Sequence, residues 1–396
     1  MAARATISVR ALARQIHLWL GLSLGALFAL IGVTGSILVF YVDLDDALHP
    51  EIKLSGRAAP PCWEHVLATA RATYPDKTGP WRFEVTDRGG DIPARYYAPR
   101  ERAGRDFAPM MVWFSADGAR VLRRDYWGDY AVTWIYDLHH RLLLQSTGAK
   151  ILGWSGIAML LLLISGLVAW WPRPGALGKA LRVKRNASPI RKLYDAHKVV
   201  GLASLGLLVL LTATGILLAM PKESAAVLTP ALGAASASPA ISASTPFRPE
   251  TRISVDRAAA AARQALPGAR LVWIETPAVD HGAYRLRMRA NGDPSARFPH
   301  SFVWVAADSG RVLAITNARE ANPHDQLLNW LHPLHDGSAG GLPGRLLALL
   351  AGLAPSHLLI VGVLRWRLRK GKAAGEAPGQ PRLPELGNGR RCGASL

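Results

Sequence analysis

Four long apolar runs restrict what this chain can fold into more than any other feature of its sequence. They cover residues 17–39, 151–171, 199–220 and 346–364, and the last run contains Pro355 and His357. A helix needs about 20 apolar residues to cross a bilayer, so the sequence predicts four transmembrane helices. The first run is long and lacks a small-residue cleavage site, which indicates a retained helix rather than a secretory signal peptide.

The net charge of +19 lies mainly beside these runs. Residues 1–15, 172–198 and 365–396 hold 19 of the 47 lysines and arginines and few acidic residues. Basic residues on short segments next to membrane helices mark the cytoplasmic side. Both termini and the 172–198 linker are therefore predicted inside, and the two long segments outside. The charge indicates topology, with some attraction to anionic lipid, rather than nucleic-acid binding.

The runs and the charges together divide the chain into segments. These are a cytoplasmic arm (1–15), a first transmembrane helix (16–42), an outer domain (43–150), a second helix (151–171), a basic linker (172–198), a third helix (199–220), a second outer domain (221–345), a fourth helix (346–366) and a tail predicted to be disordered (367–396). The acidic Asp43-x-Asp45-Asp46 sequence is predicted to end the first helix. Cys62 and Cys392 fall on opposite sides of the membrane, so no disulfide framework is expected.

Both outer segments show the pattern of a small α+β domain. A helix is predicted at 62–74 and at 254–266. Short alternating stretches bounded by turn residues predict strands at 81–86, 94–98, 110–114 and 120–124, and again at 271–276, 284–289, 301–305 and 312–316. Three prolines make the 172–198 linker irregular, with at most a short interfacial helix. Residues 224–249 are rich in Ala, Ser and Pro, which predicts a flexible linker.

The two halves of the chain resemble each other. WFSADGARVL at residues 113–122 matches WVAADSGRVL at 304–313. The run that begins at His17 aligns without a gap with the run that begins at His197, and Leu138-His139 aligns with Leu334-His335. Since each half begins and ends inside, the repeats are parallel. The predicted fold is a membrane α-helical protein with four transmembrane helices, internally duplicated, that carries two outer α+β domains.

This repeat selects four of the twelve histidines. His17 corresponds to His197 and His139 to His335, whereas the others have no histidine counterpart. A single histidine at a membrane end is commonly an interfacial polar residue, but two symmetric pairs favour ligands. A span of 20 to 25 residues separates the two levels by roughly 30–38 Å, so each pair is predicted to form its own site.

Facing imidazoles in apolar surroundings suit a flat macrocycle such as haem, held by two axial histidines. Gly21 and Gly201 lie near the first pair in sequence. Zinc would need further ligands, and the only acidic residues near these helix ends are Asp137, Asp195 and Asp336. The sequence leaves open whether another histidine replaces one of the four; the candidates are His140, His332 and His357.

Two further groups of residues near the histidines have two interpretations each. Basic residues fit haem propionates and ordinary helix-end charges equally well; they are Arg14, Arg141, Lys198 and Arg345. Aromatic residues near His139 and His335 fit a substrate surface or, more commonly, an interfacial aromatic belt; they are Tyr126, Trp127, Tyr130, Trp134 and Trp330.

The chain resembles the PepSY-associated transmembrane family, which includes iron-regulated inner-membrane proteins and siderophore-linked ferric reductases. The motifs that carry the resemblance are HLWLGL at 17–22, VTG at 33–35, DLHHRLLL at 137–144, ISGLVAWWPR at 164–173, DAHKVVGL at 195–202, ATG at 213–215 and PLHDGSAGGLPGRLL at 333–347. The resemblance implies four helices, two periplasmic PepSY-type domains and b-type haems on His17, His139, His197 and His335. APSHLLIVG at 354–362 departs from the usual apolar-Thr-Gly ending of the fourth helix.

The leading hypothesis is a di-haem electron-transfer protein of the bacterial inner membrane. It would reduce a periplasmic ferric complex, a ferric siderophore by resemblance, since reduction to Fe(II) weakens binding by hard oxygen ligands. No G-x-G-x-x-G sequence is present, so the electron donor would be another protein or a membrane quinol. The alternatives are a non-enzymatic PepSY module that binds or restrains a peptide or protease, and a haem subunit of another reductase.

Overall fold

The computed structural model describes residues 8–55, 62–86, 90–184, 186–237, 239, 241 and 246–375. Its helices are α1 (Val9–Leu38), α2 (Tyr41–Leu48), α3 (Trp63–Thr73), α4 (Ala131–Arg141), α5 (Gln145–Trp170), α6 (Leu177–Leu181), α7 (Pro189–Ala219), α8 (Pro221–Leu232), α9 (Val255–Ala265), α10 (Pro323–His335) and α11 (Gly341–Gly375). Its strands are β1 (Trp81–Glu84), β2 (Asp91–Tyr96), β3 (Met110–Ser115), β4 (Val121–Tyr126), β5 (Arg270–Glu275), β6 (Ala283–Arg289), β7 (Ser301–Ala306) and β8 (Val312–Thr316).

The helices α1, α5, α7 and α11 are long and apolar enough to cross a membrane. They form a bundle in which α1 and α7 each pack against both α5 and α11. All four contribute to a small buried cluster; its members are Phe28, Met159, Leu163, Leu208 and Ala354. Many other large apolar side chains of these helices are exposed, for example Leu161 at 47% and Leu350 at 62%. An apolar surface of this extent suits lipid rather than water, so the protein is a multi-pass membrane protein in contact with the bilayer.

The helix boundaries differ from the prediction in several places. Helix α1 begins at Val9 and ends at Leu38, and the predicted stop signal at Asp43 lies in the separate short helix α2. Helix α7 begins at Pro189 because proline is well accommodated in the first turn, where its missing N–H is not needed. The prediction that residues up to 198 form an irregular linker is therefore wrong beyond 188, although α6 is the short helix expected there.

Two helices continue through an internal proline. Helix α8 contains Pro230 and occupies the start of the predicted flexible linker. Helix α11 continues through Pro355. It is fastened to α1 by the Ser36 hydroxyl, which donates a hydrogen bond to the Leu349 carbonyl at 2.8 Å. Cys392, the tail from 376 onward and parts of the 224–249 linker lie outside the described residues.

The strands form one antiparallel sheet in the order β4-β3-β2-β1-β5-β6-β7-β8. Four strands in each half were predicted close to their observed positions, as two separate domains. The two units are joined where β1 pairs with β5, with Phe83 opposite Ile274. This pairing covers a strand edge of each unit that would otherwise expose unpaired backbone groups. The Arg82 guanidinium and the Glu275 carboxylate form an ion pair across the seam.

The sheet has one apolar and one charged face, because successive side chains of a strand point to opposite sides. Trp81 and Phe83 of β1 lie on the face that packs against α3 and α9, together with Tyr284 and Leu286 of β6. The other face carries arginine and glutamate side chains, with Trp113, Trp273 and Phe302 among them.

Trp81 is expected to be the most sensitive core position of the sheet. It is fully buried beside the seam, and its backbone N–H donates to the Thr276 hydroxyl at 3.1 Å. Trp81→Ala should lower the free energy of unfolding by about 3–5 kcal/mol and shift the thermal midpoint of the purified protein downward by several degrees. Trp330→Ala, at a position 44% exposed, is the matched control and should change the midpoint much less.

Candidate functional site

His17 of α1 and His197 of α7 face each other across the bundle. Their ring centroids are 6.0 Å apart and their planes are nearly perpendicular, at 86°. Nδ1 of His17 lies 3.0 Å from the Leu162 carbonyl oxygen, and Nδ1 of His197 lies 3.1 Å from that of Leu358. Because a carbonyl oxygen can only accept, Nδ1 carries the proton in both rings. Nε2 therefore keeps its lone pair on each side.

His139 of α4 and His335 of α10 form a second facing pair, at the sheet end of the bundle. Their ring centroids are 6.2 Å apart, at an interplanar angle of 49°. Nδ1 of His139 lies 3.0 Å from the Ile31 carbonyl oxygen and 3.1 Å from the Thr34 hydroxyl. Nδ1 of His335 lies 3.0 Å from the Thr214 hydroxyl and also bonds to the Leu211 carbonyl. The same partner types thus hold both rings and again leave Nε2 as the acceptor.

The two pairs lie far apart along the membrane helices. On α1, His17 is 18 residues from Gly35, the residue that contacts the His139 ring. At 1.5 Å per residue this is about 27 Å, somewhat less than the separation expected from the sequence. The difference arises because α1 begins eight residues before His17, while α4 carries His139 back alongside the last turn of α1. One small cofactor cannot bridge the two pairs.

A glycine lies against each of the four rings. A Cβ atom added at Gly166 would lie 2.7 Å from Cε1 of His17, and one at Gly35 would lie 2.8 Å from Cε1 of His139. The other two rings pack against Gly215 and Gly362. Bare backbone is therefore required where a ring approaches most closely. Gly21 and Gly201, which lie near the first pair in sequence, have Leu162 and Leu358 as their nearest side-chain neighbours.

The donor set of these sites consists of paired imidazoles. Within the described residues, no group of three or more His, Cys, Asp and Glu side chains is placed to hold a metal ion. The nearby acids have other partners: Asp137 accepts from Trp127, Asp195 from Lys198, and Asp336 lies 3.3 Å from His332. A zinc site with additional carboxylate ligands does not fit this arrangement.

Two facing imidazoles do fit a metal bound from both sides. Two metal–nitrogen bonds of about 2 Å each account for about 4 Å of the distance between the two ring centroids. The distance from each ring nitrogen to the centre of its own ring adds about 1 Å on each side. Centroid distances of 6.0 and 6.2 Å agree with this. Burial lowers the pKa of His139 and of His335 to about 4, so both rings are neutral at physiological pH. The neutral ring is the form that binds a metal.

The remaining histidines form no comparable pair within the described residues. Nδ1 of His140 accepts from Arg141 at 3.2 Å, and Nδ1 of His324 lies 2.8 Å from the Gly233 carbonyl oxygen. His332 lies beside Asp336, and His357 is exposed on the outer surface of α11.

The basic residues proposed for propionates occupy different surroundings. The Lys198 ammonium is buried and donates to the Ala180 and Arg182 carbonyls and to Asp195, which fastens α7 to the end of α6. Arg345 donates to the Val39 carbonyl, Arg141 lies over the Phe107 ring, and Arg14 is exposed. Of the five aromatic candidates, Trp127 and Tyr130 line a cavity under the sheet, whereas Trp134 and Trp330 are exposed.

Four apolar helices that carry an eight-stranded sheet define a multi-pass membrane protein with an extramembrane sheet. Residues 14–369 match the family described as PepSY-associated TM region, and the chain belongs to this family. The resemblance drawn from the sequence motifs is thereby confirmed. A comparison with curated proteins finds no match.

Proposed function

We propose that this protein is a di-haem electron-transfer protein of the bacterial inner membrane that reduces a ferric complex at the periplasmic face. The observation that carries the proposal is the pair of facing imidazoles at each end of the bundle. In both pairs the centroids are about 6 Å apart and Nδ1 is committed to a protein acceptor. Only Nε2 is left to bind a metal.

His17 and His197 would hold one haem b, and His139 and His335 the other, each through its Nε2 atom. Bound haem supplies one-electron transfer at a potential set by its ligands and surroundings. The chain orients each ring through the hydrogen bond at Nδ1, which also raises the basicity of Nε2. The glycines give the rings room, and the apolar helix surfaces limit access of water.

The orientation proposed for the protein follows from its charge. We propose that both termini and the 172–188 linker are cytoplasmic and that the sheet with α3 and α9 is periplasmic; the basic residues beside the membrane helices support this. We further propose that the halves arose by duplication as a parallel repeat. This is supported by Leu162 and Leu358, which accept from His17 and His197 and are 196 residues apart, the same offset as His139 and His335.

In this function, electrons enter from a cytoplasmic protein or a membrane quinol at the His17/His197 end and leave at the sheet end. The acceptor is a ferric siderophore or another Fe(III) complex. Fe(III) prefers hard oxygen ligands, so conversion to Fe(II) weakens the complex and releases the metal. In this arrangement the four apolar helices cross the bilayer, and the sheet lies over the end of the bundle at which the electrons leave.

Reduction of a ferric complex by the purified protein tests this function. The protein is reduced with dithionite, freed of excess reductant and mixed anaerobically with ferric citrate and an Fe(II)-binding dye. We expect haem oxidation and Fe(II) formation in equal amounts. Haem that is oxidised only after another redox protein is added would instead indicate a subunit of a larger reductase. A protein without haem would indicate the non-enzymatic PepSY module.

Thr34 is expected to position His139 rather than bind the metal. Thr34→Val removes the hydroxyl that accepts from Nδ1 but keeps the side-chain shape, and the Ile31 carbonyl remains as a partner. Haem affinity at this pair should fall about tenfold, the lower end of the range for a residue behind a ligand. Transfer of haem to apomyoglobin measures the loss. Thr34→Ser should behave as the wild type, and equal loss from both variants would contradict this role.

A further inference from the structure

The charged face of the sheet carries more arginines than carboxylates on its central strands. Glu84 accepts from Arg297 through both of its oxygens, at 2.7 Å each, and Glu275 pairs with Arg82 and with Arg285. Three arginines of β2 and β6 have no ion pair to any described carboxylate; they are Arg95 of β2 and Arg287 and Arg289 of β6.

Arg95 is the most deeply buried of these three arginines. The residue is 7% exposed, and its Nε atom has no hydrogen-bond partner. The guanidinium lies over the rings of Trp273, at 4.9 Å from the centroid, and Trp127, at 5.6 Å. Aromatic rings compensate a buried cation only in part, and an isolated buried charge is unfavourable without a counter-charge. The arrangement favours binding of an anion.

Arg95 lines a cavity of about 330 Å³ between the charged face of the sheet and the helices α2 and α4. This volume lies at the small end of the range for ligand sites, and the walls include Trp113, Trp127 and Tyr130. Thr133 also lines the cavity and precedes His139 on α4 by six residues, which is about 9 Å along the helix. The cavity therefore lies within about 9 Å of His139 along α4.

Three carboxylates also line this cavity, and each interacts with another group. Asp45 lies 3.1 Å from Arg123, which also pairs with Asp125. Asp46 and Asp91 likewise interact with other groups. Arg297 contributes a second cation to the lining, although it is held by Glu84. Of the two arginines in the lining, Arg95 is therefore the one without an ion pair to a described carboxylate.

We propose that this cavity binds a small, negatively charged, oxygen-donor ferric chelate, with a carboxylate of the chelate on Arg95 and its carbon skeleton against Trp127 and Tyr130. This inference rests on the proposed function, because it names the charge and size class of the iron complex. The volume excludes a bulky chelate from lying wholly inside. The guanidinium favours an anionic chelate over a cationic one.

The second half of the chain offers a matched control residue. Arg95 pairs across the sheet with Met111, and Arg287 pairs with Phe302, which is 191 residues further along the chain. This is the offset between the repeated motifs at Trp113 and Trp304. Arg287 therefore occupies the equivalent position, but it is covered by Phe302 at 4.9 Å and is not part of the cavity lining.

Titration of the purified full-length protein with gallium citrate tests the proposal, since Ga(III) resembles Fe(III) but is not reduced. We expect saturable binding that weakens about tenfold or more in Arg95→Met, as for loss of one charge-assisted contact, and less in Arg95→Lys. Arg287→Met should bind within about twofold of the wild type. Unchanged haem content and thermal midpoint of the variants exclude misfolding.

Three results would overturn the proposal. One is equal weakening in Arg95→Met and Arg287→Met. Another is free citrate binding as tightly as gallium citrate, which would indicate a carboxylate site unrelated to iron. The third is Arg95-independent binding of a cationic gallium trihydroxamate with equal affinity. Because gallium binding needs no electron transfer, Arg95-dependent binding in a protein that fails to produce Fe(II) would refute the proposed function and leave the anion site intact.

Discussion

His335→Ala is expected to lower the haem content of the purified protein from about two to about one per chain. The variant leaves His139 with no facing imidazole, whereas the His17/His197 pair lies about 27 Å away and keeps both ligands. The remaining haem should stay six-coordinate and low-spin. Haem extraction and the reduced absorbance spectrum measure both quantities.

His332→Ala is the matched control for this prediction. His332 lies one turn earlier on the same helix and is partnered by Asp336 rather than by a second imidazole. This variant should keep about two haems per chain. Loss of haem from His332→Ala with retention in His335→Ala would show that the ligand at this end has been wrongly assigned.

The second large effect is expected at Gly166. A Cβ atom there would lie 2.7 Å from Cε1 and 2.8 Å from Nδ1 of His17, and the ring cannot move away without losing its bond to Leu162. Gly166→Ala should therefore weaken haem binding at the His17/His197 pair about 10- to 100-fold, the range for disturbing the support of a ligand. Transfer of haem to apomyoglobin measures the change.

Gly362→Ala provides the comparison at the same pair. Its added Cβ would lie 3.7 Å from the His197 ring, which is ordinary contact. Both substitutions raise helix propensity by about 1 kcal/mol, so they differ only in the contact with a ring. Gly362→Ala should retain haem as the wild type does. Equal haem loss in the two variants would show that close approach to the ring is not the cause.

Local patterns in the sequence were sufficient to predict the strands and the long helices. The alternation in AYRLRMR places Tyr284 and Leu286 on the core side and the arginines opposite, as observed. The gapless alignment of His17 with His197 likewise pointed to the residues that face each other in the structure. Patterns of this kind depend on side-chain periodicity alone, which the sequence displays directly.

Features that depend on contacts between distant segments were not predictable in this way. The sequence of β1 (Trp81–Glu84) contains nothing that distinguishes a strand paired with β5 from an ordinary edge strand. The single sheet was therefore not predicted. The equivalence of Gly166 and Gly362 was visible in the repeat. Their contacts with His17 and His197 follow from the helix crossings, which no local pattern encodes. Pro189 indicated irregular chain, yet it begins a helix of 31 residues.

The cavity beside Arg95 also shows why equivalent sequence positions need not have equivalent roles. Arg95 and Arg287 occupy the same register in their halves, yet α2 and α4 leave space over the first, while Phe302 covers the second. The repeat therefore predicts two equivalent arginines but not which of them faces a cavity. That difference depends on which residue lies opposite each arginine, Met111 for Arg95 and Phe302 for Arg287.

The central claim is that two facing histidine pairs each hold one haem, and haem quantification tests it most directly. The purified full-length protein is assayed for haem per chain by pyridine extraction, together with an oxidised and a dithionite-reduced absorbance spectrum. The account predicts about two haem b per chain, both low-spin with two nitrogen ligands. One haem per chain would contradict the two-site arrangement, and the absence of a Soret band would contradict the claim altogether.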